Sequence, residues 1–418
     1  MARPLTVKEL LDSAALALPD TNAFGFHDYH AALKPDYIAQ PSIGYTRDNF
    51  GRGVYGGAAI QLSDLLSNRM MLLAAQVNGR IDEAQALLAY GNQAHRINWI
   101  TGYSQYPLFY FSGAAYTTDS LGAPQDVFTY TRYVNRYLFL EAHVPLNRFR
   151  RIELGVRGAS VNIATQEFVQ TYDPLSGGII AQNVNTNGLG TNFYVQPSVA
   201  LVFDNSVSLW VGPLMGRRSR FEYAPAVGEV RFHQFLADYR RYDHLIGPFT
   251  LATRGMFYGR FGPSEQDFRI SIANPDFLRG YTVGSLQKYE CATDPGGPVT
   301  GCGALDQVIG TRFAVFNAEL RFPLFRALGL GFLPVWLPPM EAAVFYDAGL
   351  AWESGNVLRW SRAPTDNPSL VRQPLTSWGF SIRANMLGFV VLRLDYTNPL
   401  DRPDSVPWYW TLSLGPTF

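Results

Sequence analysis

A strand drawn through the C-terminal segment puts Trp408, Trp410, Leu412 and Leu414 on one face and Tyr409, Thr411, Ser413 and Thr417 on the other, with Phe418 closing the chain. The same two-residue period recurs upstream. Val390, Leu392, Leu394 and Tyr396 oppose Arg393, Asp395 and Thr397, and Trp378, Phe380, Ile382, Ala384 and Met386 oppose Gly379, Ser381, Arg383 and Asn385. Ala342, Val344, Tyr346, Ala348 and Leu350 oppose Glu341, Phe345 and Asp347; Ala314, Phe316, Ala318, Leu320 and Phe322 oppose Asn317, Glu319 and Arg321. A helical period of 3.6 would scatter each of these sets around its circumference, so the pattern confines the chain to sheets.

Composition decides what lies against the apolar faces. Of 418 residues only 16% are charged while 47% are hydrophobic, and the mean hydropathy is -0.04. A soluble domain carries about 25% charged residues, and a helical membrane protein shows apolar runs of about 18 residues or more. The most apolar stretch, Ala327 to Met340, is interrupted by Pro334, Pro338 and Pro339. A transmembrane β-barrel reconciles these facts, because strands alternating lipid-facing apolar and lumen-facing polar residues average to neutral hydropathy. Lys+Arg 34 against Asp+Glu 34 leaves no basic footprint for nucleic acid.

The expected fold is therefore all-β, a transmembrane antiparallel barrel of about 16 strands. Five strands follow position 310, and eleven precede it near 36–45, 52–63, 68–78, 83–92, 95–106, 127–146, 149–169, 192–204, 207–224, 229–243 and 247–262. Closure into an even-numbered barrel leaves no unpaired edge in lipid. Asp204-Asn205 and Leu387-Gly388 read as short periplasmic turns, whereas 171–191, 263–311 and 353–374 read as long loops. Residues 1–35 are expected to lie outside the barrel, which occupies 36–418. Val7 to Leu18 is interrupted by Glu9 and Asp12, so it is not a secretory signal, and the expectation is a piece of a longer precursor.

Cys291 and Cys302 both fall in the longest loop, where a disulfide is the expected state, contributing on the order of 3 kcal/mol by restricting the unfolded chain. A zinc site wants four N/S ligands, and no His lies in that loop. His27 and His30 lack a third ligand at metal spacing, so neither a metal nor another cofactor is expected. No GxSxG elbow pairs a nucleophile with a base, and an enzyme is not expected. The tryptophans fit interfacial girdles. Arg217, Arg218, Arg220, Arg240 and Arg241 fit either a cation-repelling lumen or contacts to lipopolysaccharide phosphates.

Within the longest loop stands Phe277-Leu278-Arg279-Gly280-Tyr281. Arg279-Gly280-Tyr281 resembles the Arg-Gly-(Phe/Tyr) motif of the bacterial surface antigen superfamily of outer-membrane barrels, which includes the outer-membrane protein assembly barrel and the two-partner secretion transporters. The resemblance continues in order through Phe316 to Leu324, Val344 to Gly349, Gly379 to Arg383 and Gly388 to Pro399. It is specific over 277–418. The chain departs from the family at Phe380-Ser381, where a glycine-richer stretch is usual, and 35 residues cannot hold the family's transport-associated domains.

The resemblance implies that the long extracellular loop folds into the lumen and that Arg279 meets Asp347 there. Gly280 would permit a tight backbone, Tyr281 would pack on the inner wall, and Glu319 and Arg383 would support the pair. On residues alone, Arg279 would read as a solvated loop charge. The implied function is protein insertion or transport across the outer membrane, with the C-terminal strand as a seam element. A passive channel gated by the loop and a membrane anchor or export module for an upstream soluble domain stay open beside it. The expected partners are outer-membrane lipid and lipopolysaccharide, with a protein client or an upstream domain.

Overall fold

A computed structural model describes residues 29–39, 42–48, 51–79, 83–208, 211–282, 285, 303–324, 339–363, 366–386, 390–402 and 408–414. Its strands are β1 (Lys34–Ile38), β2 (Ser42–Asp48), β3 (Gly51–Ser63), β4 (Arg69–Gly79), β5 (Gln85–Asn92), β6 (Asn98–Thr118), β7 (Pro124–Pro145), β8 (Arg150–Tyr172), β9 (Ile179–Asp204), β10 (Val207–Ser208) and β11 (Pro213–Gly228). There follow β12 (Phe232–His244), β13 (Thr250–Phe261), β14 (Ile270–Ser271), β15 (Ile309–Gly310), β16 (Arg312–Pro323), β17 (Met340–Trp352), β18 (Val357–Leu358), β19 (Val371–Arg372), β20 (Leu375–Met386), β21 (Val390–Pro399) and β22 (Tyr409–Leu414). Eighteen of them form one large sheet in which each long strand pairs antiparallel with its neighbours; β14–β15 and β18–β19 are separate small ladders.

The sheet is inside-out relative to a soluble sandwich. On β17, Asp347 is 0% exposed while its neighbour Tyr346 is 43% exposed and Val344 40%. Phe316 and Leu320 of β16 and Phe380 and Ile382 of β20 are likewise exposed, opposite buried Asn317, Glu319, Arg321, Ser381 and Arg383. The apolar side chains align across strands: Ile60 lies opposite Leu73, Leu73 opposite Leu88, Leu88 opposite Tyr103 and Tyr103 opposite Leu138. Such a continuous apolar band is what a lipid-facing sheet presents. Among the described residues no helix is long and apolar enough to cross a membrane.

Several details depart from the sequence expectation. Among the described residues the large sheet has eighteen strands where about 16 were expected; β1 and β2 lie on either side of 40–41, outside the described residues, and pair end to end along β3, and β10 is described over two residues. The segment 171–191 is no long loop: β8 and β9 continue as a paired ribbon with only 173–178 between them. Asn183, Asn185 and Asn187 are turn-type residues, but each is matched in register by Val169, Glu167 and Thr165, and the ladder satisfies their backbones. The strand expected at 207–224 is displaced to Pro213–Gly228. Segments 263–311 and 353–374 are long connections, carrying a 3-10 turn (Glu265–Phe268), a helix (Gly303–Val308) and the two small ladders. Asp204 ends β9 as expected, with its carboxylate accepting from the Ser206 amide; Leu387-Gly388 lies outside the described residues.

Short turns at 64–68, 93–97, 146–149 and 245–249 share one rim of the sheet, opposite the long connections. At one of them Asn147 accepts hydrogen bonds from the amides of Phe149 and Arg150, closing the turn locally. If the exposed apolar face meets lipid, Val344→Arg will destabilise the chain refolded into vesicles by about 2–4 kcal/mol. Urea titration followed by tryptophan fluorescence measures this, and an unchanged midpoint would mean that the face is hydrated.

Candidate functional site

The connection between β13 and β16 packs against the polar face of the sheet. Ile272, Leu278, Tyr281 and Val308 from this connection form one buried cluster with Phe313, Val315, Ala351 and Leu375 of the wall. A turn at Asn274 aims the segment: its carbonyl accepts from the amides of Phe277 and Leu278, and its side chain accepts from the Asp276 amide. The apolar residues beside Arg279 thus anchor the loop and carry the guanidinium against β16 and β17.

Arg279 is 3% exposed. Its Nε donates to Asp347 Oδ2 at 2.6 Å and its Nη2 to Asp347 Oδ1 at 2.7 Å, a bidentate fork, while Nη1 donates to Glu319 Oε1 at 2.7 Å. The guanidinium carbon also lies 3.5 Å from the centroid of the Phe345 ring. Burial alone would lower its pKa, but the attraction of Asp347 and Glu319 outweighs that and raises it, so the group stays charged.

Neighbouring charges extend the cluster. Glu319 also accepts from Arg383 Nη2 at 2.5 Å and from Arg321 Nε at 2.7 Å, and Arg383 reaches Glu341 at 3.3 Å. Asn317 Nδ2 donates to Asp347 Oδ1 at 2.8 Å and to the Phe277 carbonyl at 2.9 Å, tying strand to loop. Arg393 of β21 pairs with Asp276 of the loop at 3.1 Å and with Asp395 at 3.0 Å. Removing one member of such a buried set leaves its partners uncompensated.

Gly280 sits at φ +91, a conformation that L side chains rarely adopt, and an added Cβ would lie 3.0 Å from Thr397 Cγ2. Its carbonyl accepts from Arg402 Nη1 at 3.0 Å. The Tyr281 hydroxyl donates to the Thr376 carbonyl at 2.8 Å and accepts from the Asp401 amide at 3.1 Å. Burial and the Asp401 carboxylate push its pKa up, which keeps it a neutral donor.

The structure brings together Arg279, Asp347, Glu319 and Arg383, with Gly280 and Tyr281 against β20 and the segment after β21. Sequence reasoning did not assign Asn317, Arg321, Glu341, Phe345, Arg393, Asp395, Asp276 or Arg402 to the site, although the strand residues among them lie on the same alternating faces. At Phe380-Ser381, Phe380 points outward and Ser381 is buried; the close approach falls one residue earlier, where a Cβ on Gly379 would meet Phe345 Cζ at 2.9 Å and the Tyr396 carbonyl at 2.1 Å. In the C-terminal strand Trp410 and Leu412 are exposed, Trp410 stacks on Tyr396 with centroids 4.6 Å apart, and Trp408 lies edge-on to Trp378 at 4.8 Å. Leu414 is the last described residue of β22, while Phe418, Cys291, Cys302 and His27 lie outside the described residues.

The five arginines left open by sequence divide by face. Arg218, Arg220 and Arg240 are inward and paired with Asp204 (2.8 Å), with Glu222 (2.6 Å) and Glu153 (2.5 Å), and with Asp238 (2.7 Å), respectively. Arg217 and Arg241, opposite each other on β11 and β12, lie on the outward face. Between loop and wall remains a cavity of about 840 Å³, lined by Tyr133, Arg157, Gln234, Tyr258, Arg260 and Phe268 among others. Among the described residues no group of three or more His, Cys, Asp or Glu converges as a metal site.

Glu319 touches three guanidinium groups, so Glu319→Gln will destabilise the folded chain by about 3–5 kcal/mol. The shift in urea midpoint at constant slope measures this, and a change under about 1 kcal/mol would mean that the charges balance without it.

The protein-family description that matches the chain is the Omp85 superfamily domain, over residues 164–418. Among solved structures, BamA from Haemophilus ducreyi lacking POTRA domains 1-3 is similar at 13% identity and a TM-score of 0.49, covering 92% of this chain and 75% of that one. CdiB from Acinetobacter baumannii is similar at 12% identity and a TM-score of 0.46, covering 92% of this chain and 65% of that one. A comparison with curated proteins returned no match. The family match spans more than half of the chain and includes the loop, its arginine and the strands that receive it: the chain belongs to the Omp85 superfamily, outer-membrane barrel proteins of protein insertion and transport.

Proposed function

We propose that the chain forms a closed outer-membrane barrel that inserts or transports protein, with the loop bearing Arg279, Gly280 and Tyr281 held in its lumen as a lock on Asp347. The carrying observation is the bidentate Arg279–Asp347 contact, buried on the polar face and braced by Glu319. A solvated loop charge would not be stripped of water in this way.

The barrel in this reading has sixteen strands. The end-to-end pairing of β1 and β2 along β3 makes them one first strand, and the described part of β10 pairs only with the start of β11, within the connection that follows β9. Among the described residues β22 pairs with β21 over Tyr409–Leu414, and in this reading it forms the seam with the first strand that opens for substrate. In this reading the barrel opens at Lys34 with β1, two residues before the boundary expected from sequence, and a protein client or an upstream soluble domain is the partner outside the lipid. The loop acts by occupancy and release, which requires no catalytic group or cofactor.

A passive channel gated by the same loop is the second reading, favoured by the cavity of about 840 Å³ beside it. Single-channel recording in planar bilayers tests the lock. The native chain should give small, flickering currents and Arg279→Ala large ones, because the loop loses its buried anchor. Large, steady currents from both would sink the lock and leave the open channel. A retained native conductance in the variant would show that the loop is held by its apolar cluster alone.

A further inference from the structure

We propose that Arg150, Phe203 and Arg217 form a binding site for the phosphate of an anionic phospholipid in the leaflet nearest the short turns. The inference goes beyond protein transport but rests on the membrane embedding read above.

Arg150 lies directly opposite Phe203 in the β8–β9 ladder, and Phe203 lies opposite Ser219, two residues from Arg217, so all share one face. That face is outward: Leu154, Val199, Leu201 and Phe221, exposed on the same strands and the same parity, continue the apolar band away from the rim. The Arg217 guanidinium carbon lies 4.8 Å from the Phe203 centroid and that of Arg150 lies 5.7 Å from it. Two cations thus share one ring, which places both guanidinium groups beside the same position for a phosphodiester.

Their environment differs from that of every inward arginine nearby. Both are exposed, and among the described residues neither Arg150 nor Arg217 makes an ion pair. The neighbouring outward cation, Arg241, is held by Asp243 at 2.8 Å, and Arg218, on the inward face, by Asp204 at 2.8 Å. Two uncompensated cations held on one ring gain from an anion that joins them, and the ring orients both guanidinium groups in advance of that anion. Their height selects the source. The 146–149 turn precedes Arg150 and the β9–β11 connection precedes Arg217, which puts the site at the short-turn rim where the apolar band ends. Short turns face the periplasm in such barrels, so the available phosphate is that of a phospholipid and not of lipopolysaccharide in the other leaflet.

The test uses the full chain in zwitterionic micelles, titrated with short-chain phosphatidylglycerol, short-chain phosphatidylcholine or inorganic phosphate, with thermal unfolding as the readout. Phosphatidylglycerol should raise the native Tm and phosphatidylcholine should not. In Arg150→Gln/Arg217→Gln the concentration needed for the same rise should increase at least about tenfold, given the roughly 1 kcal/mol found per basic residue at an anionic membrane surface. An identical response in the double variant would overturn the site, as would equal stabilisation by phosphatidylcholine. A matching effect of inorganic phosphate at equal concentration would show a free-anion site and overturn the lipid. Flotation of the native chain with vesicles separates the two levels: failure to float would sink the embedding itself, whereas flotation without head-group preference would sink only this inference.

Discussion

A guanidinium removed from water is tolerated only where its charge and its donors are met, and the buried Arg279 imposes that condition on β16 and β17 together. Asp347 supplies both oxygens to its fork and Glu319 a third acceptor, while the face of Phe345 takes the planar group itself. The partners come from two levels of the β16–β17 ladder, so their convergence depends on register. Asn317 must lie opposite Asp347, Glu319 opposite Phe345, and Phe345 opposite Gly379, where the missing side chain leaves room for the ring. A slip of one residue would turn Asp347 and Glu319 to the outer face and Tyr346 and Leu320 to the inner one. The apolar band and the charged cluster therefore enforce the same alignment from opposite sides of the sheet.

The alternation was legible because it is local: each strand declares its two faces in its own sequence, and the exposed Val344 and Tyr346 beside buried Phe345 and Asp347 follow the written pattern. What meets across strands is not local. Arg321, Glu341, Arg383 and Glu319 were all readable as inward, but their joining into one cluster depends on ladder registers and on the path of a loop whose sequence, rich in Gly and Pro, carries no period. The destination of Arg279 came from a three-residue motif and its order relative to later strands, not from any property of the loop.

The misread ribbon at 171–191 has a related cause. Above the apolar band a strand no longer needs to alternate, so Asn, Thr and Gly can occupy β9 without the signal that marks a half-buried strand. There the β8 ladder alone holds the backbone, and residues that favour turns in isolation follow their partners.

Arginines on the two faces meet opposite solvents, and their partners differ accordingly. Toward the loop, Arg279, Arg321 and Arg383 draw on carboxylates of the chain itself, because no water or lipid phosphate can reach them. At the outward rim, where an apolar band gives way to head groups, an internal carboxylate would compete with the membrane for the cation. Arg241 carries such a competitor in Asp243, whereas among the described residues Arg150 and Arg217 meet the Phe203 ring and no carboxylate, and a ring orients a guanidinium without neutralising it. One alternating pattern thus distributes a single residue type between closing the sheet upon its loop and presenting charge to the bilayer, with the supply of counter-charge deciding which.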